Sequence, residues 1–368
     1  MVDLRNCKWD EFLTRLGDRH LYCFGSGELA KWLSAEVCGH DISSRIVAFV
    51  DNNELKSGTY VNVDGREIPV MSYQDFLLHR NKDSVMLITN MYYSDILEQM
   101  DGEEALSGME CYIEVFLKEE QAKVSESELF TQNERTIPKV IHYCWFGKQE
   151  IPEVYKQYIA SWKKYCPDYE IVRWDERNYD YTKIPYTRQA YEAGKYAFVS
   201  DYARLDIVYN HGGIYLDIDV EITRNLDLLL GNDMFCGFEK GNVVNTGLGF
   251  GAKAGFAKLG EMRAQYHDLN FFREDGSLTL TACTKYQTDY LTERGLKRNG
   301  KLQIIDGIRV FPRTVLAPFD FYGVDDFTSK ETFSVHHYAA TWFSKANHKE
   351  LLLKRNDELR ERMNGHVE

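Results

Sequence analysis

Residues Phe198–Ile222 read FVSDYARLDIVYNHGGIYLDIDVEI. Toward its end, Ile214–Val220 alternates apolar and polar residues, and that two-residue period predicts a β-strand. Side chains along a strand point alternately to opposite faces, so Asp217 and Asp219 are expected on one face. Two buried, ionised carboxylates placed there would repel each other. A divalent cation such as Mn²⁺ or Mg²⁺, which prefers carboxylate oxygens, would remove the conflict. A strand with one solvated face would hold the same pair without a metal, and a D-x-D alone does not separate the two readings. Upstream, Ser200, Asp201 and Arg204 fall at helical spacing, and Leu205, Val208 and Tyr209 continue the period. The expectation is a helix leading through Asn210-His211-Gly212-Gly213 into the acidic strand. The two glycines permit a tight turn or the close approach of a ligand. Arg204 has the fork geometry for an anion or a carboxylate.

The pattern S-D-x-x-R, then G-G-x-Y-x-D-x-D, resembles the sugar-binding region of glycosyltransferase family 32 and of the related large clostridial glucosylating toxins. The resemblance extends upstream to Ile137–Trp145 and downstream to His336-His337 and Trp342, covering residues 136 to 345. It implies a GT-A fold in which Asp217 and Asp219 hold a metal-diphosphate. It also implies that Trp145 contacts the nucleotide base, with Ser200, Tyr215 and Trp342 around the donor. Asp201 and Arg204 would orient the donor sugar, and Asn245 would stand near the reacting carbon. His336 or His337 would complete the metal site; neighbours on a strand face opposite ways, so both cannot point at one ion. The implied reaction is hexosyl transfer with retention of anomeric configuration. UDP-hexose is the favoured donor, although fungal relatives use GDP-mannose. The implied acceptor is a glycan or lipid-linked oligosaccharide of capsular or surface polysaccharide synthesis. From residue chemistry alone, Trp145 reads first as core packing, and Asn245 as a turn former.

The 368 residues favour two domains. A hydrophobic share of 44% and an aromatic share of 14% suffice for packed cores. The net charge of −13 argues against a nucleic-acid partner. Eight singly placed cysteines without a C-x-x-C pair suggest a reducing compartment, hence a cytoplasmic protein. No run approaches the ~20 apolar residues of a membrane span. For the tail Lys345–Arg362, a solvated helix is the first expectation and peripheral contact with a membrane-borne acceptor the second.

The expected fold class is α/β. Residues 1–118 read as a small Rossmann-like domain, 119–135 as a polar linker and 136–368 as the transferase domain. In the first domain, strand Leu21–Phe24 runs into Gly25-Ser26-Gly27-Glu28-Leu29-Ala30 and a helical pattern. That G-x-G-x-x-A arrangement suits a dinucleotide, with Asp51 placed for a ribose hydroxyl. Further strands are expected at 46–50, 68–70, 85–89 and 111–116. An NAD-dependent sugar-modifying oxidoreductase is therefore the rival reading. Gln287 and Asp289 are further candidates near the acceptor.

Overall fold

The computed structural model describes residues 1–35, 39–118, 122, 124–129, 134–339 and 348–364. The chain divides into two compact units, the first comprising Met1–Glu120, Tyr322–Val324 and the residues from Lys349 on. Both are α/β, as expected.

The first unit is built on a seven-stranded sheet. Its strands are β1 (Asp3–Leu4), β2 (His20–Phe24), β3 (Ile46–Asp51), β4 (Tyr60–Val63), β5 (Arg66–Ser72), β6 (Ser84–Ile88) and β7 (Glu110–Ile113). They lie in the order β1-β7-β6-β2-β3-β5-β4. All neighbours are parallel except the β4–β5 hairpin. The strands β2, β3 and β6 carry near-continuous apolar runs, because parallel strands are covered on both faces. The helical pattern after Gly27 forms only a six-residue 3₁₀ stretch, Glu28–Leu33. The C-terminal helix His348–Asn364 joins this unit through Arg362, which forks onto Asp101 at 2.7 and 2.9 Å. Asn356 there accepts from the Tyr93 hydroxyl at 2.6 Å and donates to the Tyr322 carbonyl at 2.7 Å.

The second unit holds a mixed sheet of β8 (Val140–Cys144), β9 (Glu170–Trp174), β10 (Gly213–Tyr215), β12 (Met234–Glu239), β13 (Val243–Asn245), β14 (Phe250–Ala252), β15 (Gln303–Ile305) and β16 (Ile308–Phe311). The order is β15-β16-β12-β14-β10-β8-β9, with β13 paired to β12. Separately, β11 (Val220–Ile222) pairs antiparallel with β17 (Ser334–His336). Alternation on β8 and β10 divides two cores. Ile141, Tyr143 and Ile214 face Trp162 and Phe235, while Cys144 and Tyr215 face the helix Tyr196–His211. That helix is buried nearly all round, from Phe198 to Val208, and so has little amphipathic signal. The stretch expected as the linker is partly core, since Val124 and Leu129 pack within this unit.

One expectation needs correction. Ile214–Val220 is not a single strand: β10 ends at Tyr215, and a turn closed by Val220 N–H to the Asp217 carbonyl (3.0 Å) precedes β11. The two aspartates therefore sit on a turn between sheets, where hydrophobic alternation carries no information about pairing. The glycines before β10 are required by packing. A Cβ on Gly212 would lie 2.9 Å from Pro138, and one on Gly213 2.8 Å from the Val140 carbonyl, both at positive φ.

His142 holds this corner together. Its Nδ1 accepts from the Trp174 indole N–H at 3.1 Å, so its Nε2–H donates to the Gly212 carbonyl at 2.8 Å. A neutral imidazole satisfies both bonds, whereas a proton on Nδ1 would oppose the Trp174 N–H. Burial accordingly lowers the His142 pKa from 6.5 to about 4. The unfolded chain takes up this proton below pH 6.5 while the folded chain resists it down to about 4, so stability is lost as pH falls across that window. Relative to His142→Gln, the native protein should lose about 2–3 kcal/mol between pH 7.5 and 4.5 in urea titrations. Equal pH slopes for the two proteins would refute this account.

Candidate functional site

The site grows from the helix Tyr196–His211 and the turn after β10. Arg204 is buried, and its guanidinium reaches Asp201 at 3.0 Å, one helical turn away, and Asp217 at 3.2 Å. It also lies over the ring of Tyr215, 5.2 Å from the centroid, and its Nε–H donates to the Ser200 carbonyl at 3.2 Å. Burial opposes the charged guanidinium, but Asp217 and Asp201 outweigh it and hold its pKa well above the ordinary value. Burial raises the Asp201 pKa to about 6, against the pull of Arg204. Tyr215 donates its hydroxyl to Asp217 at 3.0 Å. Ser200 donates to the Tyr196 carbonyl at 3.2 Å within its own helix.

Asp217, Asp219 and His336 converge, each offering a ligand atom within 4.8 Å of the others. His336 Nε2 is 3.2 Å from Asp219, whose other carboxylate oxygen accepts from the Ala339 N–H at 2.7 Å. The β11–β17 register, with Val220 opposite His336, creates this meeting. Burial alone would push both carboxylates up. It does so for Asp217, whereas His336 overrides it and holds Asp219 below the usual carboxylate range. One half-buried and one buried carboxylate at this separation, beside an imidazole whose Nδ1 is buried without a hydrogen-bond partner among the described residues, fit a divalent cation. His337 does not join them, as its place on the opposite side of the strand dictates. Its Nε2 meets Glu221 at 3.0 Å, and its ring stacks on Tyr158 at 4.4 Å.

Trp145 leaves β8 half-buried, donating its indole N–H to the Gln149 carbonyl at 2.7 Å. Its ring lies 5.9 Å from Tyr155, which is 6.4 Å from Tyr158, so an aromatic row runs from Trp145 to His337. Burial, with Asp219 second, pushes the Tyr155 pKa up to about 12. Neither tyrosine was singled out from sequence, where the helix Glu153–Tyr165 shows only ordinary apolar spacing.

Behind the acids, Asn245 donates to Glu239 at 2.9 Å and accepts from the Gly247 N–H at 2.6 Å. The Gly247 carbonyl in turn accepts from the Asp217 N–H at 3.1 Å. Glu239 also escaped the sequence reading, although it ends a strand of buried residues. Burial raises its pKa. Gln287 is buried and holds the same loop, accepting from the Thr246 N–H at 3.0 Å and donating to its hydroxyl at 2.8 Å. Asp289 is exposed and bound to Lys285. Trp342 lies outside the described residues.

Residues 152–236, which carry the acidic turn and Arg204, match the family model described as the glycosyltransferase sugar-binding region containing DXD motif. This stretch is similar to the sugar-binding regions of glycosyltransferases. The chain is 37% identical over 111 residues to inositol phosphoceramide mannosyltransferase 3 of Schizosaccharomyces pombe, covering 29% of this chain and 31% of that one. It is 35% identical over 98 residues to mannosyl phosphorylinositol ceramide synthase SUR1 of Saccharomyces cerevisiae, covering 26% and 25%. The match thus spans under a third of the length of these relatives. Among solved structures, PaToxG glycosyltransferase aligns with a TM-score of 0.33 at 20% identity, over 43% of this chain and 68% of that one. Trp145, Glu239, Asn245 and His336 all lie outside the matched DXD region.

Gly247 supplies the test of this geometry. A Cβ there would collide with an Asp217 carboxylate oxygen and stand 2.9 Å from Asn245 Oδ1 and 3.1 Å from Arg204, and its φ lies outside the left-handed range. Gly247→Ala should therefore displace Asp217 without straining the backbone. Calorimetric titration with Mn²⁺ should read an affinity about tenfold or more weaker. Native affinity in that variant would show that Asp217 does not hold the ion in this position.

Proposed function

We propose that the chain is a metal-dependent glycosyltransferase that moves a hexose from a nucleotide-sugar to a hydroxyl of a glycan or lipid-linked acceptor. The observation that carries the reading is the convergence of half-buried Asp217 with buried Asp219 and His336 beside Arg204. Asp217, Asp219 and His336 would hold Mn²⁺ or Mg²⁺, which when bound supplies Lewis-acid neutralisation of the diphosphate leaving group. In the reaction, the bond from the anomeric carbon to the diphosphate oxygen breaks, with its electron pair leaving on the diphosphate. The acceptor oxygen forms the new bond as its proton passes to the departing diphosphate oxygen.

The chain's residues would divide the remaining work. Trp145 and the aromatic row behind it offer a flat face for the nucleotide base. Asp201, locked by Arg204, would accept from sugar hydroxyls, with its carboxylate fixed before the sugar arrives. Asn245, its amide held by Glu239 and by the Gly247 N–H, would stand near the reacting sugar with its remaining N–H. Retention follows from departure and attack on the same face. Two similar proteins are named for mannosyl transfer, which sets a mannosyl donor beside the UDP-hexose suggested by the motif. Synthesis of a capsular or surface polysaccharide in the cytoplasm, with at most peripheral membrane contact, completes the proposal. Among the described residues, no helix is long and apolar enough to cross a membrane.

Turnover of UDP-glucose, UDP-galactose and GDP-mannose, followed as sugar release with and without Mn²⁺, tests the reading. One donor should be turned over only with the metal, and Asp219→Asn should lower kcat by about 10²-fold or more. His337→Gln should leave the metal requirement in place. Full metal-independent activity in Asp219→Asn would sink the proposal.

A further inference from the structure

The first unit contains a cleft that the transferase reading leaves unused. It lies beyond the carboxyl ends of β2, β3 and β6 and is lined by Asp51, Asn52, Asn90, Tyr92, Asp95 and Gln99, among others, with a volume of ≈ 300 Å³. Its place in the topology is informative. From β2 the chain builds the sheet to one side through β3 and β5, then crosses to the other side for β6 and β7. The strand order therefore reverses between β2 and β6, and in open α/β sheets ligands bind in the crevice outside the strand ends at that reversal. The volume matches the small end of ligand pockets.

The chemistry of the lining selects the ligand. A dinucleotide would need backbone N–H groups after β2 for its pyrophosphate. Here the Ser26 N–H already donates to Asp51 at 3.2 Å, and the Ser26 hydroxyl donates to the same carboxylate oxygen at 2.5 Å. A carboxylate thus stands where the phosphate would have to go. The segment that follows is a 3₁₀ stretch, which supplies no aligned α-helix behind it. The two cations that reach the lining acids are already paired, Lys56 with Asp51 at 2.8 Å and Arg355 with Asp95 at 3.5 Å. What faces the cleft, beside Phe24, Gly25 and Ile96, is a set of amides and carboxylates, side chains that hydrogen-bond neighbouring hydroxyls. Asn52 and Gln99 exchange hydrogen bonds at 2.8 and 3.2 Å. At the rim, Tyr92 is 71% exposed beside Met91 at 44%, an aromatic face with no core to cover it.

We infer that this cleft binds an uncharged polyhydroxylated ligand, a sugar ring stacked on Tyr92 with its hydroxyls on the Asn52, Asn90 and Asp95 side chains. The site is separate from the acidic turn, so it stands whether or not the proposed transferase activity does. The test is saturation-transfer NMR of the full chain with free glucose, galactose, mannose and N-acetylglucosamine, with NAD and ADP-ribose as counter-probes. Asp217→Ala serves as the background, to remove sugar bound at the acidic turn. At least one sugar should receive saturation in that background, and adding Tyr92→Ala should weaken its binding about fivefold. Tyr92→Ala alone should leave donor turnover within about twofold of native, as for other exposed positions. Absence of transfer to every sugar would overturn the inference. So would a signal that vanishes with Asp217→Ala, one indifferent to Tyr92→Ala, or preferential saturation of NAD lost in the same variant.

Discussion

Arg204 is a guanidinium taken out of water and set between two carboxylates, with a tyrosine ring against one face. Removing such a charge from solvent costs several kcal/mol, and only close partners offset it. The partners come from different parts of the chain. Asp201 is one turn back on the same helix, while Asp217 stands beyond a glycine corner on a turn between sheets. The arrangement requires the helix end, Gly212-Gly213 and the start of β10 to hold one geometry. The neighbouring hydrogen bonds of His142, Trp174 and the Gly212 carbonyl serve that requirement. Fixing one oxygen of Asp217 from the Arg204 side leaves its second oxygen, beside the Asp219 oxygen that faces His336, for other work.

A second chain of bonds arrives from the opposite direction. Glu239, Asn245 and Gly247 pass from the end of β12 to the Asp217 backbone. The acidic turn is therefore held by its side chain from one side and by its main chain from the other. A site held at both ends is pre-organised, and pre-organisation is where much of an enzyme's electrostatic advantage resides. The aromatic row from Trp145 to His337 forms a third, apolar boundary, built on a helix whose sequence looks unremarkable.

What could be read in advance follows from the range of each interaction. The helix bearing Asp201 and Arg204, the glycine corner and the apolar strands are local patterns, and periodicity makes them visible. Asp217 and Asp219 stand out in the sequence for their chemistry, but the strand expected for them does not form, because an alternating run of seven residues suits a strand as well as a strand–turn–strand. The choice of His336 over His337 depends on the β11–β17 register, which no short window contains. Glu239, Tyr155 and Tyr158 were silent for the same reason: a carboxylate at a strand end and tyrosines on a helix gain meaning only from what folds against them. In the first unit, G-x-G-x-x-A correctly marked a strand leaving into a turn. It could not reveal that Asp51 occupies the Ser26 amide.

The pairing of β11 with β17 also sets an order of events during synthesis. Asp219 receives the N–H of Ala339, which lies 120 residues further along the chain. As the protein emerges from a ribosome, the two carboxylates of the turn appear past the middle of the sequence, well before the imidazole that relieves their repulsion. Closing so long a loop carries an entropic cost that local helices and hairpins do not face. The acidic turn is thus among the last parts of its unit able to reach its final form. A nascent chain halted before β17 would carry the Arg204 ion pairs but lack the third corner of the cluster. Completion of the acidic cluster would then come late in folding, after most of the surrounding core has formed.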